Sequence, residues 1–144
     1  MTRKITVLVV DDERSVREGT KALLAFARGI DVVHEACSGQ EAVRIVTMEQ
    51  PDVVLMDVRM PAMDGLEATR QIKADWPQVK VIVLTMHPSH RRDALAAGAD
   101  HFLMKGRMGE LLENTIRAVA SEQTLAEGRD GSPLCAGGSG ASTS

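Results

Sequence analysis

The chain has 144 residues, a formal net charge of −3 at pH 7 and a pI near 5.8. This length fits one domain whose core needs no disulfide bonds, and Cys37 and Cys135 share no metal-ligand spacing, so we expect free thiols. The mildly acidic charge argues against direct nucleic-acid binding, and the apolar stretch after Lys4 stops at Asp11, too short for a secretory signal or a membrane span, so we expect a cytoplasmic protein without membrane contact.

Five short apolar runs alternate with segments of helical periodicity, a pattern typical of an α/β fold with a parallel sheet. The predicted strands are Ile5–Val10, Asp31–Glu35, Val53–Met56, Lys80–Leu84 and His101–Met104. The predicted helices are Arg14–Ala27, Gly39–Met48, Leu66–Asp75, a short one near His90–Ala97, and Met108–Ala120. Right-handed crossovers place helices on both faces of the sheet. We therefore expect a flavodoxin-like (βα)5 doubly wound sheet, in which the order 2-1-3-4-5 puts the first and third strands side by side.

Local signals mark where several of these helices begin, end and pack. The first helix is expected to pack through one apolar face that includes Leu23. Ser38 is the predicted N-cap of the second helix, and Gly98 suits the end of the fourth. Asp64 and Gly65 predict a turn before the third helix.

The composition changes near the C-terminus. From about Gly128 onward Gly and Ser dominate, and large apolar residues are too few to pack as a domain. The sequence therefore predicts one compact domain over residues 1–122, followed by a flexible tail or a truncated linker over residues 123–144.

Chemically active side chains stand at the predicted C-terminal ends of four strands. Asp11 and Asp12 follow the first strand, Asp57 the third, Thr85 the fourth and Lys105 the fifth. Because an open parallel sheet builds its binding crevice at these ends, the groups should converge there. Mg²⁺ prefers oxygen ligands, and neighbouring carboxylates repel each other without a cation. The sequence therefore predicts a magnesium site at this edge.

The same groups suit phosphoryl transfer to an aspartate. Asp12 and Asp57 can bind the metal directly, and Asp11 can hold a coordinated water. An aspartate can accept a phosphoryl group to give an acyl phosphate, in a reaction that mainly needs positioning and neutralised charge. Lys105 supplies positive charge, and the Thr85 hydroxyl can donate to a phosphoryl oxygen. We therefore predict that Asp57 is a Mg²⁺-dependent phosphoacceptor.

Four motifs, in this order and each at a predicted strand end, carry a resemblance to a known family. They are Val9-Val10-Asp11-Asp12-Glu13, Leu55-Met56-Asp57-Val58-Arg59-Met60-Pro61-Ala62-Met63-Asp64-Gly65, Val83-Leu84-Thr85 and Ala96-Ala97-Gly98-Ala99-Asp100-His101-Phe102-Leu103-Met104-Lys105. Over roughly residues 4 to 121 the chain resembles the receiver domains of two-component response regulators. Each motif is weak alone, but the ordered set is highly specific.

The resemblance implies a role for each matching residue. Asp57 would take the phosphoryl group from a phosphohistidine on a sensor histidine kinase or a phosphotransfer protein. Asp12 would be a direct metal ligand beside Asp57, and the backbone carbonyl of Arg59 would be the remaining protein ligand. Lys105 would pair with the phosphoryl group.

The resemblance also implies a conformational switch. Thr85 would move toward the phosphoryl group, and Phe102 would turn inward as the switch aromatic. The added charge would change a surface around the fourth helix and fifth strand, and the phosphorylated domain would form a homodimer or contact other proteins. Similar receivers catalyse their own dephosphorylation, and the side chains of Arg59 and His87 occupy positions that commonly tune the phosphoryl lifetime.

One residue departs from the family pattern. Many receivers have proline after the lysine, where this chain has Gly106, so the sequence does not predict the conformation of the loop after the fifth strand. The Lys105-Gly106 pair and the helix after it are similar to NarL/FixJ-type transcription regulators, which normally continue through a linker into a helix-turn-helix domain. The implied output is therefore transcription through such a domain, or protein contacts if the receiver acts alone.

Two other functions remain as alternatives. One is a Mg²⁺-dependent aspartyl-phosphate hydrolase. Such an enzyme requires a second acid two residues after the nucleophile, but the residue two positions after Asp57 is Arg59. A pseudo-receiver would bind partners without any phosphorylation. His87 and His90 suggest a metal pair, but two histidines do not complete a site, so we interpret them as ordinary loop residues.

Overall fold

The computed structural model describes residues 3–129 and contains one five-stranded parallel sheet. Its strands are β1 Ile5–Val10, β2 Ile30–Ala36, β3 Val53–Asp57, β4 Lys80–Thr85 and β5 His101–Met104. Their order is β2-β1-β3-β4-β5, which confirms the predicted flavodoxin-like topology. Asp57 and Thr85, predicted to follow their strands, are instead the last residues of β3 and β4.

Five α-helices cover the sheet. They are α1 Arg14–Leu24, α2 Gly39–Glu49, α3 Gly65–Asp75, α4 Arg91–Ala96 and α5 Met108–Arg129. The predicted end of the last helix at Ala120 was wrong, because α5 continues to Arg129 and passes the domain boundary predicted at residue 122. That boundary stays a prediction. Of the predicted tail over residues 123–144, residues 123–129 belong to α5, and residues 130–144, including Cys135, lie outside the described residues. Cys37 is a free, exposed thiol. Within residues 3–129 no helix combines the length and the apolar character that crossing a membrane requires.

The first helix is shorter than predicted, ending at Leu24 rather than Ala27. The N–H of Ala25 bonds three residues back rather than four, at 3.3 Å, which tightens and ends the last turn. Gly29 then adopts a φ of +77°, a conformation that glycine accepts without strain, just before β2. The expectation that Leu23 packs was therefore wrong: Leu23 is 45% exposed, whereas Leu24 is 3% exposed.

The predicted helix ends at three other positions are confirmed. Ser38 caps α2, with its hydroxyl accepting from the N–H of Glu41 at 3.1 Å, and the Glu41 carboxylate accepts in return from the Cys37 N–H at 2.8 Å. Asp64 caps α3 through a 2.9 Å bond from the N–H three residues on. Gly98, with a φ of +99°, follows α4.

A buried apolar layer lies on each face of the sheet. The layer under α2, α3 and α4 includes Leu8, Val54, Met56, Ala68, Ile72, Val83 and Ala94. The layer under α1 and α5 includes Val7, Val9, Leu24, Leu55, Ile82, Leu112 and Ile116. Residues Val53–Met56 of β3 are fully buried, as expected for a central parallel strand covered on both faces. This packing fixes the carboxyl end of β3, where Asp57 stands.

The loop after β5 has a regular conformation. Residues Lys105–Arg107 form a short 3₁₀ helix that leads directly into α5. A Cβ placed on Gly106 would meet no atom within 4 Å, and no peptide bond among residues 3–129 is cis. The loop whose conformation the sequence did not predict is therefore a helical turn that begins at Lys105.

Candidate functional site

Three aspartates meet where β1 and β3 end side by side. Asp11 and Asp12 follow β1, Asp57 ends β3, and one carboxylate oxygen from each lies within 4.8 Å of the others. Asp11 is 4% exposed and Asp57 7% exposed, whereas Asp12 is open to solvent. They line a cleft of about 260 Å³ together with residues from the neighbouring loops. The structure thus brings together the acids that the sequence analysis singled out.

Lys105 bridges two of these acids from the end of β5. Its Nζ lies 2.8 Å from Oδ1 of Asp57 and 2.9 Å from Oδ2 of Asp11. The other oxygen of Asp11 accepts from the N–H of Glu13 at 3.0 Å. Because the Lys105 side chain is only 16% exposed, its ammonium belongs to the cluster rather than to bulk solvent.

The charges in this cluster do not balance. Burial raises the pKa of Asp57, Lys105 opposes the shift, and Asp11 and Asp12 add to it, so the pKa of Asp57 stays above its ordinary value. Burial alone would lower the pKa of Lys105, but its bonds to Asp57 and Asp11 outweigh that effect and raise its pKa. Three carboxylates therefore share one ammonium, and the cluster keeps excess negative charge.

The donor set fits a divalent cation such as Mg²⁺. Hard oxygen ligands from one or two carboxylates, completed by water and phosphate oxygens, are what this ion usually binds in proteins. Lys105 occupies one oxygen of Asp57 and one of Asp11, and Asp12 faces solvent, where an ion enters. Among the described residues, Asp11, Asp12 and Asp57 form a group of side chains close enough to share an ion, whereas His87 and His90 belong to no such group.

Gly65 fixes the position of Asp57 from the start of α3. Its N–H donates to the carbonyl of Val58 at 2.9 Å, which closes the loop after β3. A Cβ on Gly65 would lie only 1.8 Å from the carbonyl oxygen of Asp57, so no other residue fits without moving the backbone of Asp57. The sequence predicted a turn here but not this contact, which no local pattern reveals.

Arg17 holds the backbone of Asp11 from the side of α1. Its Nη1 donates to the carbonyl oxygen of Asp11 at 2.7 Å, and its Nε donates to the carboxylate of Glu35 on β2 at 3.1 Å. The sequence analysis missed this residue. A polar residue on the otherwise packed face of α1 is the one signal that could have identified it.

Thr85 lies beside the cleft with its hydroxyl already engaged. It is 2% exposed, accepts from the N–H of His87 at 3.1 Å, and its Oγ1 is 2.8 Å from Nδ1 of His90. His90 was interpreted from sequence as an ordinary loop residue, an interpretation that missed this bond. The bond depends on the 3₁₀ helix Pro88–His90, which folds the loop back onto β4.

The remaining predicted site residues, Arg59, His87 and Phe102, differ in how far their side chains are exposed. Arg59 and His87 line the cleft with exposed side chains. Phe102, on β5 beside Val83, is partly buried against the apolar layer under α2, α3 and α4. Phe102 is therefore packed in this structure, and its switch role stays a prediction.

Comparison with known proteins agrees with this geometry. Residues 7–117 match the family described as response regulator receiver domain. Response regulator UvrY of Escherichia coli (strain K12) is 43% identical over 121 residues, covering 83% of this chain and 56% of that protein. Transcriptional regulatory protein DegU of Brevibacillus brevis is 38% identical over 119 residues, covering 81% of this chain and 50% of that protein. The chain thus spans about half the length of these relatives.

A solved structure shows the same fold. The crystal structure of a two-component response regulator of the LuxR family from Aurantimonas sp. SI85-9A1 is 31% identical, with a TM-score of 0.78 over 88% of this chain and 98% of that chain. The fold, the sequence similarity and the arrangement of the site all support the same family. The chain belongs to the response regulator receiver family, the phosphoacceptor switches of two-component systems, and its relatives include LuxR- and NarL-type transcriptional regulators.

Proposed function

We propose that Asp57 accepts a phosphoryl group from a phosphohistidine on a sensor histidine kinase or a phosphotransfer protein. The observation that carries this proposal is the placement of Asp57 at the floor of the cleft, 2.8 Å from the Lys105 ammonium and grouped with Asp11 and Asp12. A carboxylate oxygen of Asp57 attacks phosphorus, the bond between phosphorus and the donor imidazole breaks, and an acyl phosphate forms. Because this reaction mainly needs positioning and neutralised charge, preorganised neighbours are the important feature.

Each neighbour has a proposed part in that reaction. Asp12, Asp57 and the backbone carbonyl of Arg59 would hold Mg²⁺, with Asp11 acting through a water; when bound, the ion supplies the positive charge that the cluster lacks. Lys105 exchanges its contact with the Asp57 carboxylate for one with a phosphoryl oxygen. Its present hydrogen bond to Asp57 already places the ammonium beside the acceptor.

The proposal extends to the response. The Thr85 hydroxyl and Phe102 relay the new charge to the surface around α4 and β5, which then favours a homodimer or another protein contact. The side chains of Arg59 and His87, which line the cleft, set how long the acyl phosphate survives attack by water. Transcriptional output through a helix-turn-helix domain, which the resemblance to NarL/FixJ-type regulators implies, is part of the proposal. A cytoplasmic location, where the histidine of a sensor kinase is phosphorylated, is the other part.

The test is phosphoryl incorporation followed by intact-protein mass spectrometry. Incubation with Mg²⁺ and acetyl phosphate should add one phosphoryl group to the wild type and none to Asp57→Asn. Asp52→Asn, at the opposite end of β3, is the matched control and should be labelled like the wild type, because Asp52 is far along the strand from the cleft. Undiminished labelling of Asp57→Asn would defeat the assignment. A wild type that is never labelled would favour a pseudo-receiver, and turnover of a small phosphomonoester would favour the hydrolase.

A further inference from the structure

The hydroxyl of Thr85 is tied to the loop that leads into α4. Its oxygen lies 2.8 Å from Nδ1 of His90, at the junction between the 3₁₀ helix Pro88–His90 and α4. The same oxygen accepts from the N–H of His87 at 3.1 Å. The side chain that is proposed to sense phosphorylation is therefore held by two partners in the loop after β4.

The bond to His90 competes with the proposed action of Thr85. A hydroxyl has one proton to donate and two lone pairs that accept, and the His87 N–H fills one of those lone pairs. If Thr85 gives its proton to Nδ1, that proton is not available to a phosphoryl oxygen. If Nδ1 instead carries the proton, the ring fills the second lone pair and still anchors the hydroxyl. In either tautomer Thr85 cannot move toward Asp57 without breaking or dragging the contact with His90.

Loop closure alone does not require this ring. The N–H of His90 already bonds to the carbonyl of His87 at 3.1 Å, so the backbone closes the turn. The α4 helix is short and has Ala94 as its buried anchor, so the ring of His90 adds a separate tie between β4 and the first turn of α4. His90 also lines a second cleft, formed by the loop after β3 and by α4. A release of this tie would change the position of α4.

We propose that His90 is a positioning residue that holds Thr85 in the unphosphorylated form of the switch, and that loss of the Thr85–His90 bond couples phosphorylation to movement of α4. The inference rests on the proposed phosphoacceptor role of Asp57. It adds His90 to the path between the cleft and the surface around α4 and β5.

Affinity for beryllofluoride, an acyl-phosphate mimic, tests the proposal. In His90→Phe the tie is lost while the ring volume is kept, so binding in the presence of Mg²⁺ should become about fivefold tighter, because a hydrogen bond present only in the free state no longer opposes binding. His90→Asn keeps a hydrogen-bonding atom near the position of Nδ1 and should return toward the wild-type affinity. Ser89→Ala alters the same 3₁₀ helix away from the tie and should match the wild type. Equal affinities for the wild type and His90→Phe, or for His90→Asn and His90→Phe, would overturn the proposal.

Thermal unfolding separates this role from a merely structural one. His90→Phe should lower the Tm of the free protein and lower it less once beryllofluoride is bound, whereas a structural role would give the same loss in both states. If His90→Phe does not fold, the wild type alone decides: the ¹⁵N resonance of His90 Nδ1 should shift on adding beryllofluoride, and an unchanged resonance in a bound protein would overturn the inference. A wild type that binds no beryllofluoride and shows no labelling of Asp57 would overturn the proposed function as well, whereas labelling of Asp57 without any effect of His90 would overturn the inference alone.

Discussion

The two ends of β3 place aspartates in opposite electrostatic environments. Asp52, just before the strand, accepts bonds from Arg3 at 2.7 and 3.0 Å and from the N–H and hydroxyl of Thr6 at 2.8 and 3.0 Å. Burial would raise the pKa of Asp52, but these partners outweigh it and lower the pKa. At the other end burial and the neighbouring acids outweigh Lys105, so the pKa of Asp57 is raised. The amino end of β3 thus gives the Asp52 carboxylate enough hydrogen-bond donors and positive charge, whereas the carboxyl end leaves Asp57 with too little positive charge.

Two partly buried lysines show the same contrast between paired and unbalanced charge. Lys73 donates to the carbonyls of Pro77 and Val79, each at 2.9 Å, and to the Asp100 carboxylate at 2.8 Å. Lys105 is buried to a similar degree but divides its ammonium between two carboxylates. At the amino end of the sheet the charged groups are therefore paired, whereas the carboxyl end keeps an excess of negative charge that a bound divalent cation would offset. Local conflict of this kind is expected at functional sites.

The largest expected effect comes from a glycine at the carboxyl end. Gly65→Ala should lower the free energy of unfolding by about 4 kcal/mol, because the added methyl group collides with the Asp57 carbonyl. Urea unfolding measures the change. Gly19→Ala is the matched control: it lies in the exposed part of α1 with no atom within 4 Å of the new Cβ, and it should stabilise the protein by about 0.5 kcal/mol. Equal effects of the two variants would show that the close approach at Gly65 is unimportant.

The stabilities of Lys105→Ala and Lys73→Ala should respond differently to Mg²⁺, which tests the comparison between the two ends of the sheet. Without divalent cations, Lys105→Ala should lower the free energy of unfolding by about 3 kcal/mol, because it removes the ammonium that contacts both Asp57 and Asp11. Lys73→Ala should lower it less, because Asp100 keeps a bond from the N–H of Val81 and a 3.8 Å contact with Lys80. Added Mg²⁺ should recover much of the loss in Lys105→Ala, because the ion replaces the missing charge, and none of the loss in Lys73→Ala. Paired urea titrations with and without Mg²⁺ measure this. The same metal response in both variants would remove the distinction between the two ends.

Replacing the two aspartates should change the free energy of unfolding by a smaller amount, and in opposite directions at the two ends of β3. Asp52→Asn should lower the free energy of unfolding by about 1.5 kcal/mol at neutral pH, because the bonds from Arg3 and Thr6 lose their charged acceptor. Asp57→Asn, measured without divalent cations, should leave stability equal to or above that of the wild type, because it removes a carboxylate whose charge the fold disfavours. A clear loss of stability in Asp57→Asn would contradict the imbalance at the carboxyl end.

The smallest effect is the pH dependence of that pair. The pKa of Asp52 lies below its ordinary value of 3.8, so its stabilisation is complete above that pH and is lost as the pH falls through the folded-state value. The pKa of Asp57 lies above 3.8, so its penalty is relieved as the pH falls toward 3.8. In metal-free urea titrations from neutral pH down to about pH 3, the gain in Asp57→Asn should therefore vanish before the loss in Asp52→Asn does. The reverse order would contradict both assignments.

Much of this fold could be predicted from the sequence because its strands are unusually clear. The uninterrupted apolar run of β3 marks a strand buried on both faces, and the residue that ends it has its place fixed by the sheet. The meeting of Asp11, Asp12 and Asp57 follows from strand order, since β1 and β3 are neighbours. Lys105 stands at the same edge of the sheet beyond β4, and its long side chain reaches Asp57 and Asp11. Periodicity and topology were sufficient for this part.

What the sequence did not predict depends on loop geometry and on single contacts. The end of α1 was wrong because the apolar spacing continues through Ala27, although a tightened turn ends the helix at Leu24. The His90 bond to Thr85 requires a particular 3₁₀ turn, and the fit of Gly65 against Asp57 requires two backbones to approach each other. Such contacts arise from assembled elements and leave no periodic signal in the chain.

The site of phosphoryl incorporation tests the central claim most directly. After incubation with Mg²⁺ and acetyl phosphate, the acyl phosphate can be trapped by borohydride reduction and located by peptide mass spectrometry. The account predicts that the modification lies on Asp57 alone. Asp57 and Asp11 both contact Lys105 inside the cleft, but the other carboxylate oxygen of Asp11 already accepts from the N–H of Glu13. Modification of Asp11 or Asp12 instead, or equal labelling at Asp52, would contradict it.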